Sequence, residues 1–260
     1  MTFGVYHGCH NSFVICEKVE GDLSKEAKRL CSKYHTDGFM TLKKDPLAMI
    51  YYNADGTIAP MCGNGIRCFT RFLYDLGLIK EHMVKIHTLG GIMEVLITSI
   101  DPFMVKVNLG KPCFSPTKLD IDTNKTQFIN EVISIDNEEA IVSCVFLGTH
   151  HAVTFVNEIT ETDLGYKLCH YHQFTKQMNV NFVKVIDRNN IFVKTFERGV
   201  GWTKACGTGA SSSYVIAKLL GMVDNKVKCH FEGGEVSLDI NQDMIIMEGP
   251  VEVIKEISNE

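Results

Sequence analysis

Two stretches of the chain combine helical apolar spacing with the same flanking pattern of small residues. Residues 66–76 and 210–220 each follow a glycine-rich turn, and each stretch ends at a glycine suited to a helix C-cap. Alternating apolar and polar positions in residues 92–98 and 235–240 predict a strand after each helix. The pattern therefore predicts a mixed α/β chain with many strands.

A second helix is predicted in each half of the chain. Apolar residues recur at helical spacing across residues 23–34, and either Asp22 or Ser24 can cap the start of that helix. Residues 160–174 are the predicted counterpart in the second half. The polar, turn-rich residues 114–139 between the halves are predicted to form a linker.

The two halves of the chain repeat one another in order. Residues 62–65 are Cys-Gly-Asn-Gly and residues 206–209 are Cys-Gly-Thr-Gly. A Val-Lys-x-His-x-x-Gly-Gly pattern also recurs 143 residues apart, from Val84 and from Val227. Matches in the same order along the chain indicate two similar domains. The cleft between two such domains is where we expect the functional site.

The repeat divides the chain into two domains of ordinary size. We predict a first domain over residues 1–112 and a second over residues 113–250, with a final strand in residues 251–260 returning to the first domain. Each segment is long enough to bury a hydrophobic core of its own.

Composition and charge argue against several classes of protein. The net charge is −5 and the pI is near 6.1, and the basic residues are scattered, so we expect no nucleic-acid partner. No apolar run is long enough to span a membrane and no secretory signal is evident, so we expect a cytoplasmic protein with no membrane partner. The ten cysteines are then expected to be free thiols, and their spacing does not favour a metal site.

Cys62 and Cys206 each lie at the predicted start of a helix. Unpaired backbone N–H groups and the positive end of the helix dipole can stabilise a thiolate there, or bind a carboxylate. Two thiols supplied by two similar domains can lie on opposite sides of one pocket. Such a pair suits removal of a proton from one face of a carbon and its return to the other face.

The repeat is what favours a site at these cysteines, because a single cysteine in such a turn is more often a buried, inert thiol. A glycine-rich turn can also bind a nucleotide, but neither copy has the lysine of a P-loop or a complete Gly-x-Gly-x-x-Gly motif. A substrate carboxylate held between two helix N-termini would be stabilised when the α-carbon loses its proton, because charge then spreads onto that carboxylate. The sequence therefore favours proton transfer at the α-carbon of an amino acid.

Three longer segments, residues 61–68, 197–201 and 205–210, resemble the signatures of the diaminopimelate epimerase family. The resemblance extends along nearly the whole chain, through residues 8–14, 53–56, 151–153, 179–182 and 233–234. It implies two similar domains, each a curled, mostly antiparallel sheet around a central helix, with the active site in the cleft between them. It also implies an isomerase that needs no cofactor and inverts the α-carbon of a free amino acid by a two-base mechanism.

The resemblance also implies roles for particular residues. One cysteine would be the thiolate base and the other the thiol acid, assisted by a histidine that titrates near neutral pH. The catalytic residues would be Cys62, Cys206, His151 and Glu197. The reacting end of the substrate would be bound by Asn11, Gly63, Asn64, Gly207 and Thr208, and the far end by Asn53, Thr149, Asn179 and Arg198. Without the resemblance, the histidine would be interpreted as structural and the asparagines as turn or cap residues.

Three positions depart from the family pattern. Thr149 stands where the family has asparagine, Trp202 where it has an acidic residue, and Pro60 where it usually has glutamate. A shorter side chain at Thr149 and an aromatic wall at Trp202 would change which substrate is preferred. Packing of Trp202 at a domain surface is the alternative. We therefore hypothesise a racemase for another free amino acid, with histidine as the leading candidate.

Three alternatives remain open. The first is an ordinary diaminopimelate epimerase of the lysine and peptidoglycan pathway, which the retained Asn53, Asn179 and Arg198 favour. The second is a non-enzymatic thiol switch in which Cys62 and Cys206 form a disulfide. The third, an isomerase of the same fold that uses a carboxylate, is disfavoured by the presence of both cysteines. For the enzymes, the partner would be a small free amino acid, and a homodimer is left open.

Overall fold

The computed structural model describes residues 2–136 and 138–259; residues 1, 137 and 260, which fall within the predicted domains and linker, lie outside the described residues. The helices are α1 (Leu23–Tyr34), α2 (Gly63–Asp75), α3 (Leu164–Cys169) and α4 (Gly207–Leu219). The strands are β1 (Thr2–Gly8), β2 (Asn11–Cys16), β3 (Gly38–Lys44), β4 (Leu47–Asn53), β5 (Ile58–Ala59), β6 (Met83–Thr88), β7 (Gly91–Ile100), β8 (Phe103–Asn108), β9 (Glu131–Ile135), β10 (Glu138–Phe146), β11 (His150–Phe155), β12 (Asn179–Asp187), β13 (Asn190–Glu197), β14 (Gly201–Thr203), β15 (Val227–Phe231), β16 (Gly234–Asn241), β17 (Met244–Pro250) and β18 (Glu252–Asn259).

The chain divides into two compact units. Unit 1 comprises the described residues up to Asn108 together with those from Glu248 onward, and unit 2 comprises Leu109–Met247. The boundaries predicted from the sequence, after residues 112 and 250, lie a few residues C-terminal to these divisions. The last strand, β18, belongs to unit 1, where it pairs antiparallel with β1.

Unit 1 is a mostly antiparallel sheet packed on a helix. Strands β1 and β2 form a hairpin, β2 pairs parallel with β3 through the crossover helix α1, and β3 pairs antiparallel with β4. Strands β6, β7 and β8 form an antiparallel meander, and β6 meets β4 at one parallel pairing, Ala48 with His87. Helix α2 packs on β1, β2 and β8.

Unit 2 repeats this order of elements. Strands β10 and β11 pair antiparallel, β11 pairs parallel with β12 across the connection that contains α3, and β12 pairs antiparallel with β13. Strand β13 also pairs parallel with β15, which pairs antiparallel with β16. Helix α4 packs on strands from both parts of this sheet. The predicted class, a mixed α/β fold of two similar halves, is therefore confirmed.

Helices α2 and α4 are the central helices of their units. Each is buried on nearly every side along its first ten residues or so, as expected for a helix surrounded by sheet. Both begin three residues before the predicted apolar stretches, at the glycine after the cysteine. The glycines that follow them, Gly77 and Gly221, have φ angles of 67° and 71°, which is the left-handed conformation predicted for a C-cap glycine.

The smaller helices differ from one another in how they are stabilised. In α1, the Asp22 carboxylate accepts the backbone N–H groups of Ser24 and Lys25, so Asp22 rather than Ser24 is the cap. Helix α3 covers only part of the predicted residues 160–174, so its predicted length was wrong. Its N-cap residue, Asp163, makes no side-chain capping bond. Phe174 instead packs against Phe128, with ring centroids 5.8 Å apart.

The predicted linker, residues 114–139, contributes several residues to the core of unit 2. Leu119, Ile121, Phe128 and Ile133 are buried in one hydrophobic cluster with residues of β10 to β12. The prediction of a linker was therefore wrong, because apolar residues spaced widely among polar ones fill a core although they show no regular periodicity. Within the described residues, no helix is both long and apolar enough to cross a membrane.

A buried lysine holds two connections of unit 2 against its sheet. Lys194 on β13 is 4% exposed, and its Nζ lies 2.6 Å from Glu161 Oε1 and 2.7 Å from Glu232 Oε1. Both carboxylates are about half exposed. The ammonium group is therefore removed from water but hydrogen-bonded on both sides, which offsets the cost of burying it.

We expect Lys194→Met to lower the free energy of unfolding of unit 2 by about 1–3 kcal/mol, because two carboxylates would then lie close together without a cation. Urea denaturation followed by the fluorescence of Trp202, the only tryptophan in the chain, reports on this unit. The matched control is Lys184→Met, which removes an exposed lysine from β12 and should change stability by less than about 0.5 kcal/mol. Equal stability of the two variants would contradict the structural role of Lys194.

Candidate active site

Each of the two repeated cysteines is the N-cap of a central helix. Cys62 has extended backbone angles (φ −137°, ψ 125°), and its Sγ accepts the backbone N–H of Gly65 at 3.4 Å. Cys206 has nearly the same angles (φ −131°, ψ 108°), and its Sγ accepts the N–H of Gly209, also at 3.4 Å. The two sulfur atoms therefore take the position that a Ser or Asp oxygen usually has at a helix start.

Two backbone N–H groups beside each sulfur have no acceptor inside the helix. Regular helical bonding begins with the N–H of Ile66 in α2 and of Ala210 in α4, which donate to the carbonyls of Cys62 and Cys206. The preceding N–H groups, those of the first two helical residues, point out of the helix end together with the positive end of its dipole. They belong to Gly63 and Asn64 in unit 1, and to Gly207 and Thr208 in unit 2. Each turn can therefore bind an anion next to a thiol.

The last residue of each turn is a glycine whose neighbours lie close. A Cβ at Gly65 would overlap Met40 Cε, and a Cβ at Gly209 would overlap Asn181 Oδ1 and lie 2.8 Å from Thr195 Oγ1. Since these same glycines donate to the two sulfurs, the close approach fixes the position of each thiol against its sheet.

A buried arginine orients Asn64. Arg67 is fully buried in α2, and its Nη1 donates to Asn64 Oδ1 at 3.1 Å. A guanidinium can only donate, so the carbonyl side of the Asn64 amide faces the arginine and its NH₂ group is directed elsewhere. Arg67 Nη2 also lies 3.6 Å from Cys9 Sγ. No role was predicted for Arg67, although it lies inside residues 61–68, one of the segments that resemble the family.

The other two predicted residues of unit 1 differ in how they are bonded. Asn11 begins β2, and its buried Oδ1 has no hydrogen-bond partner among the described residues. Asn53, at the end of β4, accepts from the Tyr51 hydroxyl at 2.8 Å and donates to Thr57 Oγ1 at 3.0 Å. The Asn53 side chain is therefore bonded within its own turn, as the alternative interpretation of the asparagines expected.

His151 is entirely buried in unit 2. Its Nδ1 lies 3.1 Å from Nδ2 of Asn181, and its Nε2 is buried without a hydrogen-bond partner among the described residues. Burial lowers the pKa of His151 to about 3, and repulsion by His150 and Arg198 acts in the same direction. A histidine that titrates near neutral pH was predicted, whereas the lowered pKa makes this side chain a neutral imidazole at that pH.

The remaining predicted residues of unit 2 gather at one edge of three adjacent strands. His151 near the start of β11 pairs with Asn179 at the start of β12, and Glu197 ends β13 at the same edge. Arg198 donates its backbone N–H to Asn179 Oδ1 at 2.9 Å, and its side chain is exposed. Thr149 lies half-buried in the bend that precedes β11.

Glu197 is held by a neighbouring threonine. Its Oε1 accepts from the hydroxyl of Thr203 at 2.8 Å, and its strand position is opposite Gly201 on β14. Neither Thr203 nor Asn181 was assigned a role from the sequence. Asn181 lay inside a segment that resembles the family, but a hydrogen bond between side chains distant in sequence leaves no local signal.

Trp202 is half-buried, packs against the hydrophobic cluster of unit 2 and does not form an aromatic wall. Its ring centroid lies 5.2 Å from that of Phe182 and 5.5 Å from that of Phe196, and the ring packs against the hydrophobic cluster of this unit. Adjacent strand residues face opposite sides, so Trp202 points away from the side on which Thr203 meets Glu197. The aromatic-wall expectation was wrong, and the packing alternative describes this residue. Thr149, which stands where the family has asparagine, is the departure from the family pattern that lies next to the predicted site residues.

We expect Gly209→Ala to lower the free energy of unfolding of unit 2 by about 1–3 kcal/mol, because the new methyl group overpacks Asn181 and Thr195. In a helix with free space at this position, the same change would raise the free energy of unfolding by roughly 0.5–1 kcal/mol. The sign of the measured change therefore shows whether the close contact exists. Urea denaturation followed by Trp202 fluorescence is the measurement.

The control for this change is Ser212→Ala on the same helix. The buried Ser212 hydroxyl has no hydrogen-bond partner within the described part of the chain, so its removal should leave stability unchanged or raise it. A Gly209→Ala protein at least as stable as the parent would contradict the close contact.

Comparison with known proteins agrees with this arrangement. The family model described as diaminopimelate epimerase matches residues 3–115 and 143–254, one segment mainly in each unit. The diaminopimelate epimerase of Caldanaerobacter subterraneus is 37% identical over 267 residues, covering 98% of this chain and 97% of the relative. That of Alkaliphilus metalliredigens is 37% identical over 270 residues, covering 98% and 95%.

Solved structures show the same fold at low sequence identity. A hydroxyproline epimerase from Agrobacterium vitis has a TM-score of 0.70 and 12% identity, covering 99% of this chain and 90% of that chain. The relatives at 37% identity and the matching family model show the family as well as the fold. The protein is an isomerase of the amino-acid epimerase and racemase class, and the chain belongs to the diaminopimelate epimerase family.

Proposed function

We propose that the protein is a diaminopimelate epimerase, which inverts one α-carbon of free diaminopimelate without a cofactor. The observation that carries the proposal is the matched pair of cysteine N-caps, each with its sulfur 3.4 Å from a glycine N–H and beside two helix N-terminal donors. Relatives that carry this enzyme's name match the chain at 37% identity over 98% of its length. They support diaminopimelate rather than the hypothesised histidine.

The two turns supply what α-proton abstraction needs most. The α-carbon of an amino acid is a very weak acid, and the charge left by its proton spreads onto the carboxylate. Backbone N–H groups of Gly63 and Asn64, or of Gly207 and Thr208, are fixed donors for that carboxylate and need no reorganisation as the charge develops. The Asn64 amide adds a side-chain donor, because Arg67 occupies its oxygen.

The two cysteines would exchange roles with the direction of the reaction. A thiolate on one cysteine takes the α-proton, so a C–H bond breaks and an S–H bond forms. The thiol of the other cysteine then donates its proton to the opposite face of the carbon, so an S–H bond breaks and a C–H bond forms. Their matched backbone geometry suits a reaction that runs in both directions between stereoisomers.

Residues of unit 2 would bind the far end of the substrate. Arg198 is exposed, and its Nη1 donates to the backbone carbonyl of Lys176 at 2.9 Å, which leaves other N–H groups of the guanidinium to pair with a distal carboxylate. The packing of Trp202 removes one of the two reasons for expecting a changed substrate. Thr149 remains the other, and a substrate panel decides its importance.

We expect Cys62→Ser and Cys206→Ser each to lower epimerisation of diaminopimelate by about 10²–10⁴-fold, because a serine hydroxyl is a poor acid and a poor base at neutral pH. The double variant should be little worse than either single one, since the two groups act as a unit. The measurement is appearance of the second stereoisomer, resolved by chiral chromatography under reducing conditions.

The control for the cysteine variants is Cys113→Ser, a half-buried cysteine outside the two turns, which should keep full activity. Near-parental turnover in either single variant would exclude the two-thiol mechanism. Absence of α-proton chemistry in the parent protein itself would favour the thiol-switch alternative.

We expect the α-proton signal of diaminopimelate to disappear in D₂O in the presence of the protein, whereas that of histidine persists. The physical reason is that Arg198 and Asn179 can bind a charged far end that histidine lacks. Proton NMR with a panel of free amino acids measures this directly. Exchange of histidine and not of diaminopimelate would instead show that Thr149 marks a changed substrate.

A further inference from the structure

The orientation of the Asn181 side chain is fixed by two neighbours of opposite character. The backbone carbonyl of Ala152, which can only accept, lies 3.0 Å from one amide atom, so that atom must be the nitrogen. The hydroxyl of Thr195 lies 2.9 Å from the other amide atom and donates to it as the oxygen. Asn181 and Thr195 are 0% and 2% exposed, so water does not compete for these bonds.

This orientation decides which nitrogen of His151 carries the proton. One hydrogen of the Asn181 NH₂ group donates to Ala152, and the other points at Nδ1 of His151, 3.1 Å away. Nδ1 must then accept, so the proton of the neutral imidazole is on Nε2. Nε2 is itself buried and has no hydrogen-bond partner among the described residues.

The charges around His151 favour its neutral form. His150 and Arg198 are the charged or titratable groups that act on it, and both disfavour a second positive charge. His150 is in turn bonded to Asp120, at 3.1 Å. No carboxylate among the described residues is hydrogen-bonded to either ring nitrogen of His151, so an imidazolium here would lack a paired negative charge.

We propose that Asn181 is a positioning residue that holds His151 as the neutral Nε2–H tautomer, so that His151 acts in the reaction as a hydrogen-bond donor and not as a base. The buried Nε2–H needs an acceptor, and a thiolate or a substrate carboxylate supplies one. A donor that keeps its proton stabilises developing negative charge without taking part in proton exchange. The kinetic consequence rests on the proposed function, whereas the tautomer does not.

Asn181 also connects the histidine to the cysteine turn. Its Oδ1 lies so close to Gly209 that no side chain fits there, and Gly209 donates its N–H to Cys206 Sγ. The same amide therefore sets the tautomer of His151 and contacts the turn that positions the thiol. An aspartate at position 181 would accept from Nδ1–H, move the proton to Nδ1 and leave Nε2 with a lone pair.

Nitrogen NMR of protein labelled with ¹⁵N in its histidine rings tests the tautomer without substrate. The His151 signals are identified by their absence in His151→Gln. In the parent protein we expect a protonated Nε2 and an unprotonated Nδ1, unchanged between about pH 5 and pH 9. A protonated Nδ1, or an imidazolium at neutral pH, would overturn the proposal whatever the variants do.

Two variants test the cause and the kinetic consequence. Asn181→Asp should move the proton to Nδ1 and make the ring titrate in this pH range, and Asn181→Ala should give a mixture of tautomers. We expect kcat for diaminopimelate to fall roughly 10–100-fold in both, with little change in KM, as is typical when a hydrogen bond behind an active-site group is lost. Asn181→Asp should also add an ionisation to the kcat profile.

The matched control is Asn190→Asp, because Asn190 Oδ1 lies 3.0 Å from Nε2 of another histidine of unit 2, His230. It should change neither the His151 signals nor kcat. An unchanged His151 tautomer in folded Asn181→Ala and Asn181→Asp would overturn the role of Asn181. A parent protein with the expected tautomer but no activity on diaminopimelate would refute the proposed function and leave the tautomer assignment standing.

Discussion

In both units, the backbone N–H of the glycine three residues after a cysteine donates to that cysteine's sulfur, and the arrangement of each cysteine turn depends on this bond. It makes the cysteine the N-cap, so the helix cannot begin earlier and the first free N–H groups lie beside the sulfur. Sulfur is a weaker acceptor than the oxygen atoms that usually cap helices, so a cysteine N-cap stabilises the helix less than Ser, Thr, Asp or Asn would. Its presence at both helix starts is therefore better explained by chemistry than by folding.

Because the two helices are surrounded by sheet, polar groups near their starts must be satisfied by one another. In unit 1 the buried guanidinium of Arg67 takes the oxygen of Asn64, and in unit 2 the Asn181 amide takes Nδ1 of His151. Each bond leaves an N–H group of the second partner for another acceptor. Buried polar groups need hydrogen-bond partners, and the partner that each group finds here fixes the direction in which its remaining N–H group points.

The backbone is nearly the same in the two turns, but the surrounding charge is not. Arg67 is a permanent cation within one helical turn of the first cysteine turn, and it acts to lower the pKa of the adjacent Cys68, although burial raises that pKa overall. Beside the second turn stands a neutral imidazole. A duplicated backbone therefore gives two thiols the same geometry with different electrostatic support, and a two-base reaction needs one thiolate and one thiol at a time.

Features with a local cause could be predicted from the sequence. The central helices, their C-cap glycines and the repeated order of elements depend on residues close together in the chain. The cap of α1 was left open between Asp22 and Ser24, and the structure decides it for Asp22. The linker was missed because Leu119 and Phe128 are buried by strands far away in sequence. Arg67 and Asn181 were missed for the same reason, since their importance comes from which atoms they meet across the fold.

Trp202 shows why a single departure from a family pattern cannot by itself identify a new substrate. The residue after it, Thr203, bonds to Glu197, so strand alternation turns the indole to the other side, against Phe182 and Phe196. A tryptophan in place of an acidic residue there adds apolar contact to the core of unit 2. This packing explains the tryptophan without any change of substrate. Thr149 has no such structural explanation. It is half-buried and lies two residues before His151. The hypothesis of an altered substrate therefore depends on that residue alone.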